Sequence, residues 1–242
     1  MRLVCFPHAG GSASYFFSLS RTLGPDVEVL AVQYPGRQDR RREPVIDTIA
    51  ELADRAHGAL GGRLDVPFAF FGHSMGAVVA YEVARRIQRE SGTGPTHLFA
   101  SARRAPSRHR DGDVHLRHDE GLLAELRELG GTDERFLADP EVREAILGVT
   151  RGDYQAIETY SWTPGPPLTC AVTALVGDSD PHTSVDEADA WSEHTTGPFA
   201  LRVFDGGHFY FGADPSGVTG AVSEALRPAE PVPHESGARR EV

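Results

Sequence analysis

The chain has no lysine: all 24 basic residues among its 242 are arginine. A P-loop nucleotidase needs a lysine on the phosphates, and a Schiff-base or pyridoxal enzyme needs its amine. A protein kinase needs its strand lysine. These classes are excluded, and Ser-Lys hydrolases with them. Cysteine is nearly absent as well. Cys5 and Cys170 cannot make a disulfide framework, and both lie in strand-like apolar runs, so they read as buried small hydrophobes of a reducing cytoplasm. No stretch of 18 apolar residues exists to cross a membrane. The apolar run at the N-terminus is too short for a signal peptide.

An excess of positive charge is missing too. The net charge is −11, from 24 Arg against 35 Asp and Glu. It is unevenly spread: residues 1–110 carry +5 and residues 111–242 carry −16. That balance argues against a nucleic-acid binder. An acidic partner would be drawn to the first half.

Apolar residues at 40% suffice for a core. Their patterning alternates strand and helix. Strands are expected at residues 3–6, 27–33, 66–71, 96–102, 170–176 and 199–204. Helices are expected at 14–23, at 48–60 with Asp47 as cap, and at 75–89, 185–193 and 215–226. Residues 66–71 are apolar throughout, as in a strand covered on both faces. The rhythm breaks between 104 and 165, where two amphipathic helices are expected near 120–129 and 140–160. The reading is one α/β domain over residues 1–227, a mostly parallel sheet flanked by helices, with a helical lid insertion at about 104–165. Residues 228–242 are Pro-rich and polar and read as a disordered tail.

Gly72-His73-Ser74-Met75-Gly76 fits G-x-S-x-G, a pattern that chance alone places roughly 0.17 times in a chain of this composition. Its context adds specificity, because a buried strand runs into it and a helix leaves it at once. That is the setting of a nucleophile elbow, although a plain Gly-rich turn would share the spacing. Serine needs a base to take its proton. His208, in Asp205-Gly206-Gly207-His208-Phe209, directly follows a predicted strand. The acid that orients it should end the preceding strand, in Gly177-Asp178-Ser179-Asp180-Pro181. Asp180 lies further into that loop, and Asp178 suits the turn itself. His8 and His73 read as loop or packing residues. His109, His115 and His118 read as a solvated loop, not a metal set. Two oxyanion donors are expected: the Met75 N–H and, from the loop after the first strand, the Ala9 N–H.

Together, Pro7-His8-Ala9-Gly10-Gly11, Tyr34-Pro35-Gly36-Arg37, the Ser74 elbow, Gly177-Asp178-Ser179-Asp180 and Gly206-Gly207-His208-Phe209 resemble the type II thioesterases. These editing enzymes serve polyketide and nonribosomal peptide synthesis. The resemblance runs from residue 3 to about 226. It implies an α/β-hydrolase fold with a helical lid and a Ser74–His208–Asp180 triad. It also implies hydrolysis of stalled short acyl thioesters from the phosphopantetheine arm of acyl or peptidyl carrier proteins. Family members carry a longer segment before the first strand, which leaves the edge of the sheet open and not the triad. No cofactor or metal, no nucleic acid and no membrane are expected, in a cytoplasmic monomer. Phe136, Leu137, Ile146, Tyr154 and Tyr160 are candidate pocket residues. Arg37, Arg40, Arg41, Arg42, Arg103, Arg104, Arg108 and Arg110 are candidates for a carrier-docking face. The alternative is a carboxylesterase or lipase of small free esters or acyl-CoA, because fold and triad are shared.

Overall fold

Alternation within the first strand already sets up a sheet covered on both sides. In β1 (Arg2–Phe6), Leu3 and Cys5 enter one core cluster while Val4 and Phe6 enter another. β3 (Phe68–His73) does the same, with Ala69 and Phe71 on one face and Phe70 on the other. One cluster is closed by Leu19 of α1 (Phe17–Thr22) and by Val218 and Val222 of α9 (Pro215–Ala225). The other is closed by Leu52 and Ala53 of α2 (Ile49–Leu60) and by Val79 and Val83 of α3 (Met75–Ser91). This explains the unbroken apolar runs.

The computed structural model describes residues 1–131 and 134–227. The tail expected from residue 228 lies outside the described residues. Among those described, six parallel strands form one sheet in the order β2-β1-β3-β4-β5-β6, completed by β2 (Glu28–Ala31), β4 (His97–Ser101), β5 (Ala171–Gly177) and β6 (Phe199–Phe204). The chain leaves β1 toward β2 and returns to β3 on the other side. The carboxyl ends of β1 and β3 therefore flank the point where the order reverses, the crevice in which open α/β sheets bind ligands.

Between β4 and β5 the chain forms a 3-10 turn at Val114–Leu116 and three described helices, α4 (Asp119–Leu129), α5 (Glu134–Ala138) and α6 (Pro140–Glu158). Asp139 caps α6 by accepting the N–H groups of Glu141 and Val142, with Pro140 in its first turn. No helix among the described residues is long and apolar enough to cross a membrane.

Four local expectations change. Thr48, not Asp47, caps α2: its hydroxyl accepts the Glu51 N–H, while Asp47 accepts from Gln155 of α6. β3 starts at Phe68 because Pro67 has no N–H to give, and its carbonyl takes the Arg2 N–H instead. The helix expected at 14–23 opens as a 3-10 turn, Ala13–Phe16, before α1. The one expected at 185–193 is α7 (Val185–Asp189) running into a 3-10 turn. The short helices α5 and α8 (Tyr210–Ala213) were not anticipated, because so few residues carry no readable period.

Candidate active site

Ser74 stands between β3 and α3 with φ 53° and ψ −119°, a conformation that a side chain rarely adopts. Its neighbours hold it there. A Cβ on Gly72 would lie 2.3 Å from the Gly76 carbonyl oxygen, and one on Gly76 would lie 2.0 Å from that of Phe6. Neither approach is possible for any residue but glycine. The Ser74 N–H donates to the Ser101 carbonyl at 2.7 Å, tying the elbow to the end of β4.

The loops after β5 and β6 are pressed together in the same way, since a Cβ on Gly177 would meet the Gly206 and Gly207 carbonyls at 2.3 and 2.4 Å. Asp178 braces this contact by accepting the Gly206 N–H at 3.0 Å. His208 and Asp180 project from the braced loops. His208 Nδ1 lies 3.0 and 2.9 Å from the two Asp180 oxygens, and His208 Nε2 lies 2.9 Å from Ser74 Oγ. An ionised carboxylate only accepts, so Nδ1 carries the proton and Nε2 is free to accept from the serine hydroxyl. Asp180 is fully enclosed and also accepts the His182 N–H at 2.8 Å. The structure thus brings Ser74, His208 and Asp180 into one line, with Asp178 in the turn behind them.

His8 and His73 pack around this line. Burial, with the nearby His208, pushes the His8 imidazole down to about 3 and His73 well below its ordinary value. Both are therefore neutral at pH 7, and positive charge developing on His208 meets no second imidazolium. His73 Nδ1 is 2.9 Å from Ser101 Oγ, which is 2.6 Å from the Tyr210 hydroxyl.

The close approach of Gly76 to Phe6 sets the first turn of α3 against the end of β1. The Met75 N–H heads that helix, where no carbonyl of its own turn can reach it. Ala9 sits in the facing loop, and neither N–H makes a hydrogen bond to the protein among the described residues. The next residue explains what holds that loop. The Gly10 N–H donates to Asp153 Oδ2 at 2.7 Å, and Asp153 belongs to α6. Arg37 grips the same carboxylate with two bonds, of 2.6 and 2.9 Å, and donates a third to the Gly11 carbonyl at 3.1 Å. Both side chains are buried. Burial raises the Asp153 carboxyl from its ordinary value, against the pull of Arg37 and the Gly10 N–H. Arg37 is thus an internal brace and not part of a docking face. The Arg37–Asp153 pair was invisible in the sequence, because 116 residues separate its members.

A cavity of about 560 Å³ opens over Ser74 and His208. Leu126 and Leu129 of α4 and Val142, Ile146 and Tyr154 of α6 line its far side. Of the candidate pocket residues, Ile146 and Tyr154 are there. Leu137 packs among Leu122, Leu123 and Leu147, and the Tyr160 hydroxyl donates to Glu82 on α3. The Phe136 side chain lies outside the described residues. The candidate docking arginines disperse: Arg40 pairs with Glu43, Arg108 with Glu193 and Arg110 with Glu187, whereas Arg103 lines the cavity itself. His109 pairs with Asp111 and His115 with Glu158. Among the described residues no three His, Cys, Asp or Glu side chains converge as a metal site would require.

A family model described as thioesterase domain matches residues 1–226. Thioesterase PikA5 of Streptomyces venezuelae is 53% identical over 215 residues, 87% of this chain and 75% of that protein. A probable cadicidin biosynthesis thioesterase of Streptomyces griseus is 47% identical over 233 residues, 96% of this chain; the match spans 64% of that relative's length. Among solved structures, the type II thioesterase BorB from the borrelidin biosynthetic cluster superposes with a TM-score of 0.87 at 50% identity, covering 93% of this chain and 92% of that one.

Proposed function

The chain belongs to the thioesterase family, and we propose that it is a type II thioesterase that clears short acyl groups from the phosphopantetheine arm of acyl or peptidyl carrier proteins. The observation that carries this reading is the run of hydrogen bonds from Ser74 through His208 to Asp180 at the floor of an apolar-walled cavity.

The reaction has two halves. His208 Nε2 takes the Ser74 proton as Oγ attacks the thioester carbonyl. Asp180 holds the tautomer and stabilises the imidazolium. The N–H groups of Met75 and Ala9 meet the oxyanion, in a place where positive charge from the head of α3 also helps. The C–S bond breaks, His208 returns the proton to the leaving sulfur, and the thiol departs. A water then gives its proton to His208 and attacks the acyl-Ser74 ester. Collapse of the second tetrahedral intermediate releases the acid and restores the serine proton.

Leu126, Leu129, Val142 and Ile146 suit a short alkyl acyl group, the other product of the reaction being a thiol that stays on its carrier. Within this proposal the domain spans residues 1–227, and the helices of 104–165 act as its lid. The test is unloading of a propionyl-charged carrier protein by the unaltered chain beside Ser74→Ala. Rapid unloading that the substitution abolishes is the expected result. Turnover of p-nitrophenyl esters without any unloading would overturn the carrier-directed reading.

A further inference from the structure

A second cavity, of about 490 Å³, adjoins the catalytic one. Arg103, Tyr154, Ile157 and His182 line both, so the two share a wall. The second chamber is ringed with charge, and nearly every charge in it is already matched. Arg117 holds Asp113 and Glu125, and Arg110 holds Glu187. Glu125 also takes His182 and the Tyr154 hydroxyl. Glu158 takes His115 and two backbone N–H groups, those of Val114 and His115. Asp111 takes His109.

Two cations are left over. The Arg103 guanidinium makes no hydrogen bond or ion pair among the described residues. Among the described residues, Arg104 donates only to the His182 and Arg110 carbonyls, each at 3.4 Å. The two follow each other in the chain and repel. Burial and that repulsion pull the Arg103 guanidinium down to about 9, and burial lowers Arg104 as well. Glu187 acts on both guanidinium groups, and Glu158 on Arg104, only through space and without an ion pair. A partly enclosed cation with no carboxylate in direct contact is costly, and a fold that lacks a ligand for it gains by replacing it. The neighbouring carboxylates cannot turn to it without abandoning partners of their own.

We propose that Arg103 and Arg104 form an anion subsite that receives the phosphate at the far end of the pantetheine arm whose thioester lies at Ser74. The proposal rests on the thioesterase reading given above. The chemistry fits on two counts. The arm places its phosphate a pantetheine chain away from the sulfur, so the phosphate belongs in an adjoining chamber and not beside the nucleophile. Two guanidinium forks offer more N–H donors than one carboxylate can use and match the several oxygens of a phosphate. The same phosphate occurs on carrier-bound phosphopantetheine and on coenzyme A.

The experiment compares propionyl-4′-phosphopantetheine with propionyl-pantetheine, which differ only in the phosphate. The unaltered full chain is expected to favour the phosphorylated thioester in kcat/KM by tenfold or more. Arg103→Met and Arg104→Gln should each cut that preference about tenfold, chiefly through KM, as loss of a charge-assisted hydrogen bond does. Equal losses on both thioesters, or an undiminished preference, would overturn the subsite. Propionyl-loaded carrier protein and propionyl-CoA separate the two sources of phosphate. The arginine substitutions should slow both, and a loss confined to either one overturns the proposal, because the phosphate is common to them. Thermal melts accompany each variant, and an unchanged or raised Tm shows that folding is intact. If the unaltered chain hydrolyses neither small thioester nor the propionyl-loaded carrier protein, the activity reading falls by itself. Calorimetry with 4′-phosphopantetheine then judges the subsite: binding that the double substitution weakens keeps it, and absence of binding removes it.

Discussion

On the β1 flank of the cavity over Ser74, Arg37 is 7% exposed and grips Asp153 with two hydrogen bonds, and Asp153 in turn holds the Gly10 N–H. On the β4 flank, Arg103 lines the cavity and holds no side chain among the described residues. The two cations lie near one site, yet the fold completes the partners of the first and leaves those of the second open. A buried charge with every donor matched belongs to the framework, since removing one member strands the other. A charge whose partners are missing is aimed at something that arrives. The β1 flank therefore reads as the part that fixes geometry and the β4 flank as the part that meets substrate.

Substitutions sharpen this contrast, and the largest effect supplies its reference point. Ser74→Ala should lower kcat on an acyl thioester by a factor on the order of 10⁴ to 10⁶ while leaving both arginines and the Tm as they are. A residual rate near that of the unaltered chain would remove Ser74 from the chemistry. Asp180→Asn should cost about 10⁴ in kcat, because it leaves His208 in the wrong tautomer without emptying the site.

The framework flank comes next. Asp153→Ala strands a buried guanidinium and frees the β1 loop, and about 3–5 kcal/mol of stability should be lost in denaturant titrations. Arg37→Met with Asp153→Leu should recover much of that stability but not the activity, since the Gly10 N–H still lacks its acceptor. Recovery of both would mean that the pair merely fills space. On the other flank, Arg103→Met should leave stability unchanged or raise it by about 1 kcal/mol, the opposite sign from Asp153→Ala. A loss comparable to that of Asp153→Ala would break the contrast.

The gentlest handle is pH. Burial holds His97 and His194 down to about 4 and His8 down to about 3. The unfolded chain therefore binds more protons than the native one below about 6.5. The stability tied to these neutral imidazoles is complete above pH 6.5 and should drain away as the pH falls toward 4 and then 3. The slope is up to about 1.4 kcal/mol per pH unit for each histidine. Denaturation midpoints measured from pH 7 to pH 4 check it, and a flat profile would contradict the neutral assignment.

The strand-end residues were readable because their signals are local. The Ser74 elbow is five residues long, and sterics at Gly72 and Gly76 leave little else that those residues can form. His208 and Asp180 each follow directly on a strand whose apolar run announces it. The helical insertion between β4 and β5 was readable only as an interruption. α5 is too short to show a period, and which of its neighbours' apolar residues would face the cavity depended on packing. Ile146 and Tyr154 turned inward to the cavity while Tyr160, on the same stretch of chain, went to Glu82.

What the order of residues settled is therefore the alternation of strands and helices, the strained serine turn and the order in which Ser74, Asp180 and His208 arrive at one sheet edge. Each of these follows from backbone sterics or from a repeat of two or 3.6 residues, which act over a few positions. What waited for the folded chain is the sorting of arginines into braces and open cations. Arg37, Arg40, Arg103 and Arg110 look alike in sequence, and all lie in polar loops. Their difference is made by carboxylates that arrive from elsewhere, such as Asp153, 116 residues from Arg37. Charge pairing is decided by distance in space and by exclusion of water, and neither quantity exists until the sheet has brought its loops to one edge.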